Sequence, residues 1–267
     1  MFANVEKSSL FYAEEGAQNK TSIIFIHGFP FSHEMWKDQL NLFGKNYRAI
    51  SYDMRGHGKT DSGDGLYSID SHVDDLFGLM SHLNIQKTVV AGLSMGGYIA
   101  LRAAERKPEA FSGLVLCDTK SESDGNEAKI KRFQSIKDLK THGVTDAFTE
   151  GYLKNVFTSK SMEANTEAVK MIRHTIKTTS TMGIAANFLA LASRTDTTES
   201  LSKINVPTLI LVGEKDMVTT PVNAKSMHEK IKGSTLTIVP DAAHMSNLEN
   251  PSVFNEQLSQ FLSNIHV

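Results

Sequence analysis

The sequence predicts an α/β protein: a mostly parallel sheet with helices on both faces and a helical lid inserted between two of its strands. Three observations carry that expectation. Short apolar, β-branched runs alternate with stretches of helical periodicity, which implies right-handed crossovers and a sheet covered on both sides. The alternation stops after Cys117-Asp118, and residues 121–200 show helical patterns without a convincing strand before sheet rhythm resumes at Val206. Finally, Gly92-Leu93-Ser94-Met95-Gly96 stands where an apolar strand gives way to good helix formers.

In chain order, Leu10-Phe11-Tyr12 reads as a strand. Ser22-Ile23-Ile24-Phe25-Ile26 is almost wholly apolar and so reads as central. Residues 47–52 form the next strand. Val73, Leu76, Leu79, Met80 and Leu83 then recur at helical spacing and give one buried face. Residues 87–91 are a strand, residues 98–105 a helix, and Leu114-Val115-Leu116 a further strand. In the inserted stretch the helical signals are Phe133, Ile136 and Leu139, then Ala147-Phe148, then Ala168, Val169, Met171 and Ile172, then residues 184–192. Residues 206–213 and 235–239 resume the sheet. Thr220-Pro221 and Asn250-Pro251 each place a capping residue before a proline at the first helical position. Val253, Phe254, Leu258, Phe261 and Leu262 stripe the last helix. The expected organisation is residues 1–120 as the first part of the core, 121–200 as an inserted helical cap, and 201–267 as the second part, one structural domain with its lid.

A serine between two glycines at a strand-to-helix corner is a nucleophile elbow, because the small neighbours allow the sharp turn that holds Oγ out of the sheet. The competing role for Ser94 is a helix cap after a Gly-rich turn. A serine hydroxyl needs a base, and the base an orienting acid. In this arrangement they follow in the order serine, acid, histidine. The run at 206–213 releases into Glu214-Lys215-Asp216, and the strand at 235–239 into Pro240-Asp241-Ala242-Ala243-His244. The expected triad is Ser94, Asp216 and His244. The tetrahedral intermediate of acyl transfer also needs N–H donors for its oxyanion, and one should be the backbone N–H of Met95.

Five ordered motifs extend over nearly the whole chain: His27-Gly28-Phe29-Pro30, Asp53-Met54-Arg55-Gly56-His57-Gly58, the elbow, Gly213-Glu214-Lys215-Asp216, and Asp241-Ala242-Ala243-His244. With them the chain resembles the α/β-hydrolase superfamily, in its capped carboxylesterase and 3-oxoadipate enol-lactonase-like branch. The resemblance implies the α/β-hydrolase fold and makes Phe29 the second oxyanion donor. It leaves Asp118, which also follows a strand, as a competitor for the acid, and favours Asp216 as the commoner arrangement. His27 is expected to brace the oxyanion loop. The Asp53–Gly58 pattern is expected to be structural, with Asp53 and Arg55 able to pair, and His33 either approaches the pocket or lies on the surface. Pocket candidates are Trp36, besides Phe29 and Met95, from the core motifs. Phe148, Phe157, Met162, Met182 and Phe188 are the candidates from the lid. Simple packing is the competing role for all of these. An enol-lactone substrate would also call for a cation against its carboxylate, for which Arg132, Arg173 and Arg194 are the lid's candidates.

Composition narrows the classes further. The chain of 267 residues suits one α/β domain. A net charge of −2 gives no electrostatic case for nucleic acid or an acidic membrane surface. The lone Cys117 excludes an internal disulfide and sits in an apolar strand as a buried thiol. No basic-then-apolar leader opens the chain and no apolar run is long enough to span a membrane, so a cytoplasmic location is expected. No zinc pattern, P-loop or dinucleotide fingerprint is present, and hydrolysis through a triad needs no cofactor and no metal. The expected partner is a small-molecule ester or lactone; a homo-oligomer is compatible with the sequence but not readable from it. Two other functions share these residues: a C–C bond hydrolase or cofactor-free perhydrolase using the same triad, and a ligand-binding receptor on a hydrolase scaffold. An aspartate in place of Ser94 would be required for dehalogenase or epoxide-hydrolase chemistry.

Overall fold

The computed structural model describes residues 1–5 and 8–265. Eight strands, β1 Phe2–Val5, β2 Ser8–Glu15, β3 Ser22–Ile26, β4 Arg48–Tyr52, β5 Thr88–Leu93, β6 Phe111–Cys117, β7 Thr208–Gly213 and β8 Thr235–Val239, form one sheet in the order β1-β2-β4-β3-β5-β6-β7-β8. The β1–β2 and β2–β4 pairs are antiparallel, and β4-β3-β5-β6-β7-β8 run parallel. The sheet is thus mostly parallel. Its first strand, β1, was not among the sequence expectations, because only Ala3 and Val5 of its four residues are buried and the run is too short to show a period.

The helices are α1 Lys37–Phe43, α2 Ile69–His82, α3 Met95–Arg106, α4 Asn126–His142, α5 Asp146–Val156, α6 Ser159–Ala164, α7 Glu167–Thr178, α8 Thr181–Ala192, α9 Pro221–Lys230, α10 Ser246–Glu249 and α11 Pro251–Ser263. Pleat alternation divides the core in two. Ile24 and Ile26 face Val73, Leu76 and Ile99 of α2 and α3, while Ile23 and Phe25 face Leu40 of α1 and Leu258 of α11. Each fully buried strand therefore has to be apolar at consecutive positions, which is what made β3, β5, β6 and β7 conspicuous.

Helix starts follow from local chemistry. Ser68 and Ser71 form a reciprocal capping box on α2, and Thr220 and Asn223 do the same on α9 ahead of Pro221. Asn250 accepts from the Val253 N–H at the head of α11. Five helices, α4–α8, lie between β6 and β7, with no strand among the described residues of that stretch. Helix α4 packs along α8. Helix α8 docks on the 53–58 loop, where Asn187 Nδ2 donates to the Arg55 carbonyl at 3.0 Å and its Oδ1 lies 2.8 Å from His72 Nε2. The 53–58 loop differs from expectation in one pairing. Arg55 makes two 2.7 Å bonds to Asp75. Asp53 instead accepts from the His33 N–H, His33 Nδ1 and the Lys59 N–H, so the expected Asp53–Arg55 pair does not form.

Candidate active site

Parallel strands present their carboxyl-terminal loops at one edge, where open α/β sheets bind ligands. Ser94 follows β5 directly and enters α3 with φ 54° and ψ −113°, a conformation that costs a non-glycine residue about 1–3 kcal/mol. The surrounding backbone holds it there. The Ser94 N–H donates to the Cys117 carbonyl at 2.9 Å, and the Ser94 carbonyl accepts from the Gly97 N–H at 2.9 Å and Thr119 Oγ1 at 2.8 Å. A Cβ on Gly92 would lie 2.2 Å from the Gly96 oxygen, and one on Gly96 would lie 2.3 Å from the Ile26 oxygen. The corner closes only because both positions are glycine.

Asp216 and His244 come from the loops after β7 and β8. His244 Nδ1 lies 2.8 Å from Asp216 Oδ2. Asp216 also accepts from the Val218 and Thr219 N–H groups and from Thr219 Oγ1. Burial pushes the Asp216 carboxyl up, but the facing imidazole and these donors outweigh it and leave it below the usual range. Burial alone would lower His244, yet the Asp216 charge and hydrogen bond win and raise it above 6.5. His244 is 1 % exposed, and its Nε2 has no hydrogen-bond partner among the described residues.

Asp118, the competitor for the acid's place, is fully buried and does not bond His244. Its Oδ1 accepts from the Gly213 N–H at 2.8 Å and its Oδ2 from Ser246 Oγ at 2.5 Å, so it joins the loops that carry Asp216 and His244. Burial, reinforced by the neighbouring Asp216 charge, raises its pKa to about 8. His27 braces the Gly28–Pro30 turn: its Nε2 accepts from the Met54 N–H at 3.0 Å and its Nδ1 lies 2.8 Å from the Gly28 carbonyl. Burial lowers it to about 4, which keeps it neutral.

A cavity of about 780 Å³ opens between these loops and α4, α5, α6 and α8. Ser94, Met95, Phe29 and Ala243 line it from the core side. Met95 is the first residue of α3, where a backbone N–H has no intrahelical acceptor.

Residues 21–251 match the family description "alpha/beta hydrolase fold". The chain belongs to that family. The 3-oxoadipate enol-lactonase 2 of Acinetobacter baylyi is 31% identical across 92% of this chain and 90% of its own. Among solved structures, a thermophilic esterase from Thermogutta terrifontis with malate bound superposes with a TM-score of 0.94 at 29% identity, covering 100% of this chain and 99% of its own. The enol-lactonase from Burkholderia xenovorans LB400 gives 0.92 at 28% identity, covering 99% and 100%.

In this α/β hydrolase the predicted pocket residues separate into three groups. Phe157 and Phe188 line the cavity with Phe29 and Met95. Phe148 stands one layer back, its ring 6.2 Å from Tyr152 and 6.4 Å from Phe188. Trp36, Met162 and Met182 are elsewhere. Trp36 is fully buried between Phe25 and Phe254 on the other sheet face, because the turn that carries it leads into α1. Met162 packs half-buried on the same core cluster as Trp36, and Met182 is 57 % exposed beside Gly65 on the outer side of α8. His33 faces Asp53 and two surface grooves rather than this cavity.

Sequence reasoning missed Tyr98, Tyr152 and the lysines Lys154, Lys160 and Lys215, which also line the cavity. Tyr98 was legible in principle, one helical turn beyond Ser94. Tyr152 was legible the same way, one turn beyond Phe148. Of the three arginines, only Arg132 lines this cavity. Arg173 pairs with Glu150, and the buried Arg194 bonds Asp124 and the Glu122 carbonyl. Among the described residues there is no cluster of three His, Cys, Asp or Glu side chains able to hold a metal ion, and no helix is long and apolar enough to cross a membrane.

Proposed function

We propose that this chain is a serine hydrolase that cleaves small carboxylic esters or lactones through an acyl-enzyme. Ser94 Oγ attacks the carbonyl carbon, and His244 Nε2 takes its proton and passes it to the leaving oxygen. Water then repeats the sequence to release the acid. Asp216 holds the imidazole in the tautomer with Nε2 free and stabilises its cation. The Phe29 and Met95 N–H groups receive the oxyanion, and each such donor contributes about 3 kcal/mol to the transition state. Ser94 Oγ and His244 Nε2, not bonded to each other in the free protein, form their hydrogen bond when substrate fills the cavity. The observation that carries the reading is the pairing of His244 Nδ1 with Asp216 while buried Nε2 stays unbonded, beside a cavity lined by the strained Ser94. The esterase and enol-lactonase relatives support the bond class.

The cavity also suits a substrate with a carboxylate. Arg132 lines the cavity while pairing with Asp124, which Arg194 also faces. Lys154, Lys160 and Lys215 add positive charge at the rim. Ser94→Ala should abolish turnover of p-nitrophenyl esters and simple lactones while leaving the circular dichroism unchanged. A variant that kept a tenth of the rate would contradict the reading.

A further inference from the structure

One carboxylate joins the histidine loop to the cap. Glu249 ends α10, five residues after His244. Its Oε2 accepts from the Ala243 N–H at 2.7 Å. Its Oε1 accepts from the Thr158 N–H at 2.9 Å, Thr158 Oγ1 at 2.7 Å and Ser161 Oγ at 2.6 Å, all at the corner between α5 and α6. These are four charge-assisted bonds, the short and strong kind, divided between two parts of the chain some ninety residues apart. Ala243 and Thr158 both line the Ser94 cavity, whereas Glu249 does not. The carboxylate therefore stands behind the wall, with one oxygen on each half of it.

We infer that Glu249 is a positioning residue that couples seating of the cap to the placement of His244. The inference rests on His244 being the base of the proposed reaction. Capping of α6 does not require Glu249, because Thr158 Oγ1 already accepts from the Ser161 N–H at 3.2 Å. The additional bonds serve to tie the corner to the core. When the corner lifts, Oε1 loses three donors and the carboxylate turns toward water, which frees the Ala243 N–H and with it the residue that carries the imidazole. Small misplacements of a catalytic group cost rate, so a loose cap lowers kcat and not only substrate affinity. A substrate that seats the cap favours the arrangement of His244 that reacts with it, which makes the two events reciprocal.

The test uses p-nitrophenyl acetate, whose acyl group is too small to depend on the cap wall for binding. Three variants are compared: Glu249→Gln, the pair Thr158→Val with Ser161→Ala, and His244→Ala. Coupling predicts that Glu249→Gln and the Thr158/Ser161 pair each lower kcat about 10-fold, with KM changed less than twofold; the unfolding midpoint stays near that of the parent for Glu249→Gln and falls for the pair, which also loses the α6 cap. The Thr158/Ser161 pair is decisive, since it leaves the Glu249–Ala243 bond and every reacting group in place. If that pair raises KM for larger esters but keeps the parent kcat on acetate, Glu249 is only structural and the inference falls. His244→Ala separates the two levels. Should it remain active, the assignment of the base fails; should it be inactive while the other variants keep kcat, only the coupling fails.

Discussion

The strand-end loops and the cap face the same cavity but are held by different forces. Ser94 is fixed by backbone: a bond to the Cys117 carbonyl, two contacts that admit only glycine, and a helix that begins at the next residue. The cap side is fixed by side chains. Tyr152 Oη donates to the Phe29 carbonyl at 2.5 Å, Glu249 holds Thr158 and Ser161, and Phe188 rests on Phe29 with ring centroids 4.6 Å apart. A side chain can be exchanged without rebuilding the backbone around it. On the proposed reading, the chemistry falls to the half fixed by backbone and the choice of substrate to the half fixed by side chains.

Substitutions on the two halves should therefore differ in size and in kind. The largest effect belongs to Ser94→Ala, on the order of 10⁴-fold or more in turnover, since triad members act as a unit. Next comes the acid. Asp216→Asn removes the acceptor of His244 Nδ1 and should cost about 10⁴-fold. Asp118→Asn, which leaves His244 Nδ1 paired with Asp216, should cost far less. A larger loss at Asp118 would move the acid to the end of β6. The pH profile sharpens the same point. His244 must be neutral to act as a base, and its pKa is raised, so kcat/KM should fall with decreasing pH through a midpoint above 6.5. In any residual activity of Asp216→Asn that midpoint should move down, because the charge that raised it is gone.

Cap substitutions are expected to be smaller and selective. Arg132→Gln should reduce kcat/KM for an ester bearing a carboxylate by about 10- to 100-fold, as for the loss of a hydrogen bond to a charged group, and leave the neutral analogue within a few-fold. Equal losses on both substrates would make Arg132 a packing residue. Phe157→Ala and Phe188→Ala should shift preference toward longer acyl chains by about 1–3 kcal/mol, with p-nitrophenyl acetate little affected. Phe148→Ala, one layer further out, should shift it less. A flat profile across all three would return selection to Phe29 and its neighbours.

The same contrast explains what was legible in the sequence. The core announces itself because its chemistry is local: a buried strand must be apolar, a tight corner needs glycine, and Ser94, Asp216 and His244 each follow a strand within a few residues. The cap follows no such rule. Helical periodicity located the stretch that holds α4–α8 but did not say which face meets the cavity, so Phe157 and Phe188 were grouped with Met162 and Met182, which face elsewhere. Trp36 was misplaced for a related reason, since an aromatic next to a motif can pack on either side of the sheet. Glu249 was missed because its contacts with Thr158 and Ser161 join residues far apart in the chain.

The central claim is that Ser94 carries the acyl group, and covalent capture tests it most directly. The protein would be incubated with a fluorophosphonate, digested, and the adduct located by mass spectrometry. Stoichiometric labelling of the Ser94 peptide, prevented by a competing ester and absent from Ser94→Ala, is the result expected. Labelling at another residue, or full ester hydrolysis by a protein that takes up no label, would contradict it.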